Sequence, residues 1–261
     1  MSDAGRSRAR RPSHNEPIEK MKRTVLSLSF LLGVAPAFAG QQEGLDAYKT
    51  QDWPTAIAEL TPMANAGNPE AAALLGDYYR DKDNEQAVKW SLVAAQHGDA
   101  KTQYDMGVRI NEILWPLFRF NMEPAKRYIR AAVECFQMAA DQGYAPAQNK
   151  LGKIYEQGLK VPADMKKGVA LYRAAARQGY APGLESMGTM YMLGRGVELD
   201  LPTAYTLYLA ALKVANGDLE VEDFSGRMSR GIASELSAGE IRRAKALVRA
   251  WSPGMPLVGL E

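Results

Sequence analysis

Two shortages narrow the possibilities for this 261-residue chain before any motif is read: it holds one cysteine and two histidines. With Cys135 alone, no disulfide can form within the chain, so stability has to come from packing. Cys135 lies in the alanine-rich run AAVECFQMAADQG and reads as a small buried hydrophobe. His14 and His97 are the two histidines, and only His97 falls within residues 40–261. No second histidine or cysteine stands at ligand spacing from it, so no metal site or other cofactor is expected. A Ser/His/Asp or Cys/His nucleophile system would have to use His97, and no serine lies in a nucleophile-elbow context. His97 precedes Gly98 at the end of a helix-like stretch, where an imidazole suits the helix dipole. Nothing in these residues argues for catalysis, and the chain is read as a non-enzyme.

Charge of one sign is also scarce. The formal net charge is +2, but residues 1–39 hold seven Lys/Arg against three Asp/Glu, leaving 25 against 27 beyond them. A net charge of −2 over residues 40–261 gives no electrostatic footprint for nucleic acid. Long apolar runs are lacking as well. Val25–Val34 is about ten residues, against the ~20 that a bilayer-spanning helix needs. It follows Met21-Lys22-Arg23 and precedes Pro36-Ala37-Phe38-Ala39, a small-residue cleavage pattern. The expectation is a secretory signal starting at Met21, cut after Ala39, and a periplasmic or secreted protein. A retained anchor is the alternative, and residues 1–20 are then either a too-early start or a long basic leader. No cysteine follows the run, which excludes a lipoprotein anchor.

Repetition is abundant. QGYAP occurs at Gln142–Pro146 and again at Gln178–Pro182. Glycines that end alanine-rich runs recur at 67, 98, 143, 179 and 217, with spacings of 31, 45, 36 and 38. A second glycine recurs at 76, 107, 152 and 188, each after Leu or Met, and Tyr79, Tyr155 and Tyr191 follow three residues on. Asn111 breaks the tyrosine pattern. Periods of this length signal a helical solenoid. PAQNKLGKIYEQG is expected as one helix, with its proline in the tolerated first turn. LKVPADM is expected as a turn and KKGVALYRAAARQG as the returning helix. Gly179 suits the left-handed position after that helix. The mid-helix Gly152 costs ~1 kcal/mol of propensity, which implies close approach of the second helix there.

These units resemble the Sel1-like repeat, a cousin of the tetratricopeptide repeat. NKLGKIYEQGLKVPADMKKGVALYRAAARQG and ESMGTMYMLGRGVELDLPTAYTLYLAALKVANGD carry the resemblance best. ALLGDYYRDKDNEQAVKWSLVAAQHGD lacks the Gly-x-Gly-Val turn. GLDAYKTQDWPTAIAELTPMANAGN looks like a first hairpin with a shortened first helix. The resemblance implies an all-α solenoid of about five hairpins over residues 40–218, after the leader at 1–39. Residues 219–261 are expected to form a linker, a capping helix and a tail. In SAGEIRRAKALVRAW, Ile241, Ala244, Leu247, Val248 and Trp251 share the face expected to cover the last repeat. The basic face opposite leaves membrane-surface binding open.

Tetratricopeptide-like geometry implies an inner wall made by the first helices. On it the resemblance places Asp77, Arg80, Tyr104, Asn149, Lys153, Glu156, Glu185, Thr189 and Met192. Mixed charge there suits a peptide or protein segment rather than a polyanion. The third unit carries nine residues more than the fourth, within RINEILWPLFRFNMEP. This stretch, 110–124, is expected as a long turn whose Trp115, Phe118 and Phe120 either pack inward or meet a partner. The combined expectation is an envelope scaffold or adaptor for another protein. The alternatives are a glycan- or peptidoglycan-binding module, resting on that aromatic stretch, and a β-lactam-interacting hydrolase as in cysteine-rich relatives, whose disulfides this chain lacks.

Overall fold

The structure, a computed structural model, describes residues 35–119, 124–158 and 161–261. Residues 1–34 of the leader expected at 1–39, and Phe120, lie outside the described residues, as do the side chains of Trp115 and Phe118. Among the described residues there are twelve helices and no strand: the fold is all-α. None of these helices is long and apolar enough to cross a membrane.

The chain divides into two compact units, residues 1–63 and 64–261. The first contains α1 (Ala35–Lys49) and most of α2 (Trp53–Asn65). These form a hairpin turned at Gln51, whose φ is +62°. Tyr48 and Trp53 meet edge to face across the turn, with ring centroids 5.4 Å apart. Gly44 lets the helices close: a Cβ there would stand 3.1 Å from Glu59 and Leu60. The first helix is longer than the sequence suggested, because it begins at Ala35 rather than near Gly44.

The second unit is a run of hairpins: α3 (Pro69–Tyr79) with α4 (Asn84–His97), α5 (Ala100–Arg119) with α6 (Pro124–Asp141), α7 (Ala145–Gln157) with α8 (Met165–Arg177), and α9 (Ala181–Leu193) with α10 (Leu201–Val214). Two further helices, α11 (Leu219–Ala233) and α12 (Ala238–Ala250), both pack on α10. Local chemistry sets these boundaries. Asp83, Asp164 and Asp200 each cap the second helix of a hairpin, their carboxylates accepting from N–H groups of the first turn, which is worth about 0.5–2 kcal/mol per cap. Proline occupies the first turn of α7 and α9, where no intrahelical N–H bond is lost. Gly158 and Gly194 end those helices in the left-handed conformation.

The mid-helix glycines explain how each hairpin closes. A Cβ on Gly107 would stand 2.7 Å from the Phe136 ring, on Gly152 2.8 Å from Tyr172, and on Gly188 3.1 Å from Tyr208. In each case an aromatic of the returning helix lies flat on bare backbone. The QGYAP joint adds a contact that its inert composition did not suggest. Gln142 donates to the Gln103 side chain at 2.7 Å, and Gln178 donates to the Gln148 side chain at 2.8 Å and the Gly143 carbonyl at 2.9 Å. Of the turn glycines, 67, 143, 179 and 217 are left-handed, while Gly98 is extended at φ −88°. His97 spreads its ring over Gly67, where a Cβ would come within 3.0 Å. Cys135 is fully buried, and burial pushes its thiol up to about 12.

Three expectations are corrected. Residues 110–119 are no turn but the continuation of α5. Met106, Ile110 and Ile113 are all buried at helical spacing, and no glycine interrupts the run after Gly107. Residues 219–233 are a helix rather than a linker, capped by Asp218 with Val221, Ser225, Ser229 and Ile232 turned inward. On α12, Ala244, Val248 and the following Trp251 are buried, but Leu247 is 42% exposed.

Candidate functional site

The first helices of successive hairpins stand side by side, with α7 against α9 and α9 against α11. Between them lies a groove of about 300 Å³. Its walls include Lys153 and Glu156 from α7, Glu185 and Thr189 from α9, and Phe224 from α11. Four residues chosen from sequence thus converge on one concavity. Helical spacing is the reason: 153 and 156, and 185 and 189, are i,i+3 and i,i+4 pairs on facing helices.

Within the groove the charges are held in place. Glu156 accepts a hydrogen bond from the Tyr172 phenol and pairs with Arg195 at 3.0 Å. Its side chain is only 13% exposed. Burial, then this bond and the carboxylate charge, push the Tyr172 phenol well above its usual range. Glu185 accepts from the Ser225 hydroxyl at 2.8 Å. Burial raises its carboxyl above the ordinary value, against the opposing pull of Ser225 and of the Lys153 charge. Thr189 lies 2.9 Å from both the Glu185 carbonyl and the Tyr208 hydroxyl. The groove therefore offers one exposed ammonium, two partly buried carboxylates and an aromatic edge at fixed spacing. It can bind a polar, mixed-charge chain.

The remaining candidates lie elsewhere. Asn149 is buried and sits 2.9 Å from the Ser186 hydroxyl, a tie between α7 and α9 rather than an open surface. Tyr104 is half-buried between the rings of Phe136 and Tyr144, with centroids 5.7 and 5.5 Å away. Asp77 and Arg80 pair with each other, and Arg109 lies 3.7 Å from Asp77. Met192 packs beside the cluster around Tyr205 and Tyr208. Trp115 and Phe118 fall within α5, far along the chain from the groove.

Sequence reading missed Phe224 and Ser225 because α11 was taken for a linker. The signal was present: Asp218 followed by Val221 and Ser225 is a cap followed by residues at helical spacing. Arg195 was missed because it lies in the Gly-x-Gly-Val turn after α9, outside the helical spacing that selected the inner-wall residues.

Comparison with known proteins bears on this architecture. The Sel1 repeat matches residues 69–99, 126–144, 145–180 and 181–213. The mouse and rat proteins named DAP3-binding cell death enhancer 1 are 30% identical over 103 residues and 27% identical over 117 residues. Those stretches are 38% and 44% of this chain but only 18% and 21% of the relatives, so the likeness covers about a fifth of their length. A crystal structure of a protective antigen from uropathogenic Escherichia coli, described as displaying an SLR fold, superposes with a TM-score of 0.58 at 24% identity. The superposition covers 82% of this chain and 44% of that one.

Proposed function

We propose that this chain, with four stretches matching the Sel1 repeat and an all-α helical-repeat fold, is a non-enzymatic interaction scaffold that holds a segment of a partner protein in the groove between α7, α9 and α11. The observation that carries this reading is the convergence of Lys153, Glu156, Glu185 and Thr189 on that groove. A segment presenting a carboxylate to Lys153 and a cation to Glu185 would match it. Glu185 gains most, because a half-buried carboxylate with a raised pKa is stabilised by an added positive charge. The mammalian relatives are named for binding another protein, DAP3, which is in keeping with a protein partner.

The setting we propose is the cell envelope, as a periplasmic or secreted adaptor. The basic start at Met21, the apolar run and the Ala37–Ala39 pattern support export. N-terminal sequencing of the purified protein should then begin at Gly40.

The binding reading is tested by placing a photocrosslinking residue at Gln157, on the groove rim, and comparing the wild type with Lys153→Glu/Glu185→Lys. Reversing both charges should remove a defined crosslinked partner while leaving the helical circular dichroism spectrum intact. A crosslink pattern indifferent to the reversal would rule out the groove as the binding surface.

A further inference from the structure

A second groove lies on the other row of helices. It runs between α4 and α6 and stays open over about 820 Å³, a size that accommodates a ligand or peptide segment. Val88, Tyr128 and Ala131 form a buried floor with the half-buried Leu92 beside them. The rim carries Lys89, Lys126, Arg127 and Arg130 against Glu85 and Glu134. Arg127 pairs with Glu85 at 3.4 Å, and the rim as a whole keeps a positive excess.

The repeat register shows what such a groove accepts. Asp83 and Asp164 cap α4 and α8, so Val88 corresponds to Val169, each five residues on. The stacked pairs Gly107–Phe136 and Gly188–Tyr208 align α6 with α10, so Ala131 corresponds to Thr203, each five residues before its ring. The α8–α10 counterpart of the open groove is therefore marked by Val169 and Thr203. That seam is filled. A Cβ on Gly196 would stand 2.9 Å from Val169, and one on Gly259 would stand 2.7 Å from Thr203. Leu257 and Leu260 of the C-terminal tail are 4% and 2% exposed, in one apolar cluster with Val169. Arg177 donates to the Leu260 carbonyl, and the Arg177 carbonyl accepts from Gly254 N–H at 2.9 Å. The tail is a turned segment: Leu260 N–H donates to the Leu257 carbonyl at 3.0 Å and Gly259 is left-handed, so two leucines three residues apart enter one apolar cluster while the Arg177 bonds hold the backbone. In the third unit the sequence after the first helix has no Gly-x-Gly turn, and among the described residues none of the tail lines the α4–α6 groove.

We propose that the α4–α6 groove is a docking site for a turn-forming segment of a partner protein bearing two aliphatic side chains three residues apart beside acidic residues. The aliphatic pair fills the Val88–Leu92–Ala131 floor as Leu257 and Leu260 fill the equivalent seam, and the acids meet the basic rim. This site is separate from the α7–α9–α11 groove and stands or falls independently of it.

The test is fluorescence anisotropy with a labelled peptide, Glu-Pro-Leu-Val-Gly-Leu-Glu-Glu, built on the tail's own leucine spacing, titrated with the full chain. Saturable binding is expected, weakened about tenfold by Lys89→Glu/Arg130→Glu at the exposed rim. It should also weaken with Leu92→Asp and vanish when both peptide leucines become aspartate. Lys153→Glu should leave it unchanged. No saturation by roughly 1 mM, or equal affinity in the rim variant, overturns the proposal. So does binding that survives the rim variant but requires removal of the chain's residues 253–261, since the peptide would then be replacing the tail in its own seat. Tail-dependent dimerisation in sedimentation velocity, abolished by the rim variant, would make the occupant a second copy and overturn the partner assignment.

Discussion

Tyr172 on α8 donates its phenolic hydrogen to the carboxylate of Glu156 on α7, the same carboxylate that pairs with Arg195 at 3.0 Å. The ring that carries this hydroxyl is the one lying on Gly152, so one side chain both closes the hairpin and fixes a charge in the groove.

Tyr172→Phe keeps the ring on Gly152 and removes only the hydroxyl. Because Glu156 retains Arg195, the expected loss is about 1.5–3 kcal/mol, the range for a hydrogen bond to a charged group, read from urea unfolding at neutral pH. The phenol titrates above its ordinary value, chiefly through burial and then through Glu156. A raised pKa means that this contribution is fully present below the unfolded value near 10 and is lost as pH rises beyond it. Wild type should therefore lose stability faster than Tyr172→Phe above about pH 10. Parallel curves would show that this phenol is not the group responsible.

Gly152→Ala sets two effects against each other. Helix propensity favours alanine by ~1 kcal/mol. The new methyl, however, would sit 2.8 Å from a ring that is 1% exposed and 3.2 Å from the Gly168 carbonyl. Overpacking costs of ~1–3 kcal/mol are typical, so the net change should be destabilising. Gly188→Ala meets Tyr208 at 3.1–3.3 Å, where a small shift of the ring suffices. Its cost should be smaller, and denaturation midpoints of the two variants measured side by side decide the ordering.

The glycine positions made the hairpins legible because each marks a contact local in sequence: the stacked ring belongs to the next helix of the same repeat. Lys153, Glu156, Glu185 and Thr189 could be brought together for the same reason, since periodicity alone assigns them to facing helices. Asn149 was misplaced because a polar side chain near the seam bonds to Ser186 of the next repeat, and no spacing rule distinguishes that from exposure. The tail was illegible for a deeper reason. Residues 253–261 have no periodic pattern, and their seat is assembled from Arg177, Gly179, Tyr191 and Thr203, all more than fifty residues earlier. The α5 extension was hidden by the family expectation of a short turn, although Met106, Ile110 and Ile113 already carried the helical period.

Glu185→Gln should raise the thermal midpoint at neutral pH. Burial lifts the Glu185 carboxyl above its ordinary 4.5, while the Ser225 hydroxyl and Lys153 pull it down and Asp218 adds to the rise. The group's contribution is therefore present below about pH 4.5, when it is protonated, and is lost as pH rises through the folded value. Glutamine can still accept the Ser225 hydrogen bond without carrying the charge. The gain should be clear near pH 7 and absent near pH 4. A gain of equal size at both pH values, or a loss at pH 7, would refute this assignment.

The tail is expected to be a structural element of the last hairpins rather than an appendage. Trp251 is 2% exposed, and its indole N–H donates to the Met255 carbonyl at 3.1 Å. The Lys213 ammonium, from α10, lies 2.8 Å from the Val248 carbonyl and 3.2 Å from that of Arg249, and also donates to Trp251, so it caps the end of α12. A lysine there satisfies carbonyls that lack intrahelical partners and opposes the negative end of the dipole. Trp251→Ala removes a large buried ring and should cost about 3–5 kcal/mol. Lys213→Met keeps most of the apolar stem and should cost about 1–3 kcal/mol through the unmet carbonyls. The two effects should not add, because both act by releasing the same turn from α10. Hydrogen exchange distinguishes this from general destabilisation. Both variants should lose protection first in α12 and the tail, with α3 to α6 unchanged. Uniform loss across the second unit would mean that the tail merely contributes to one cooperative core.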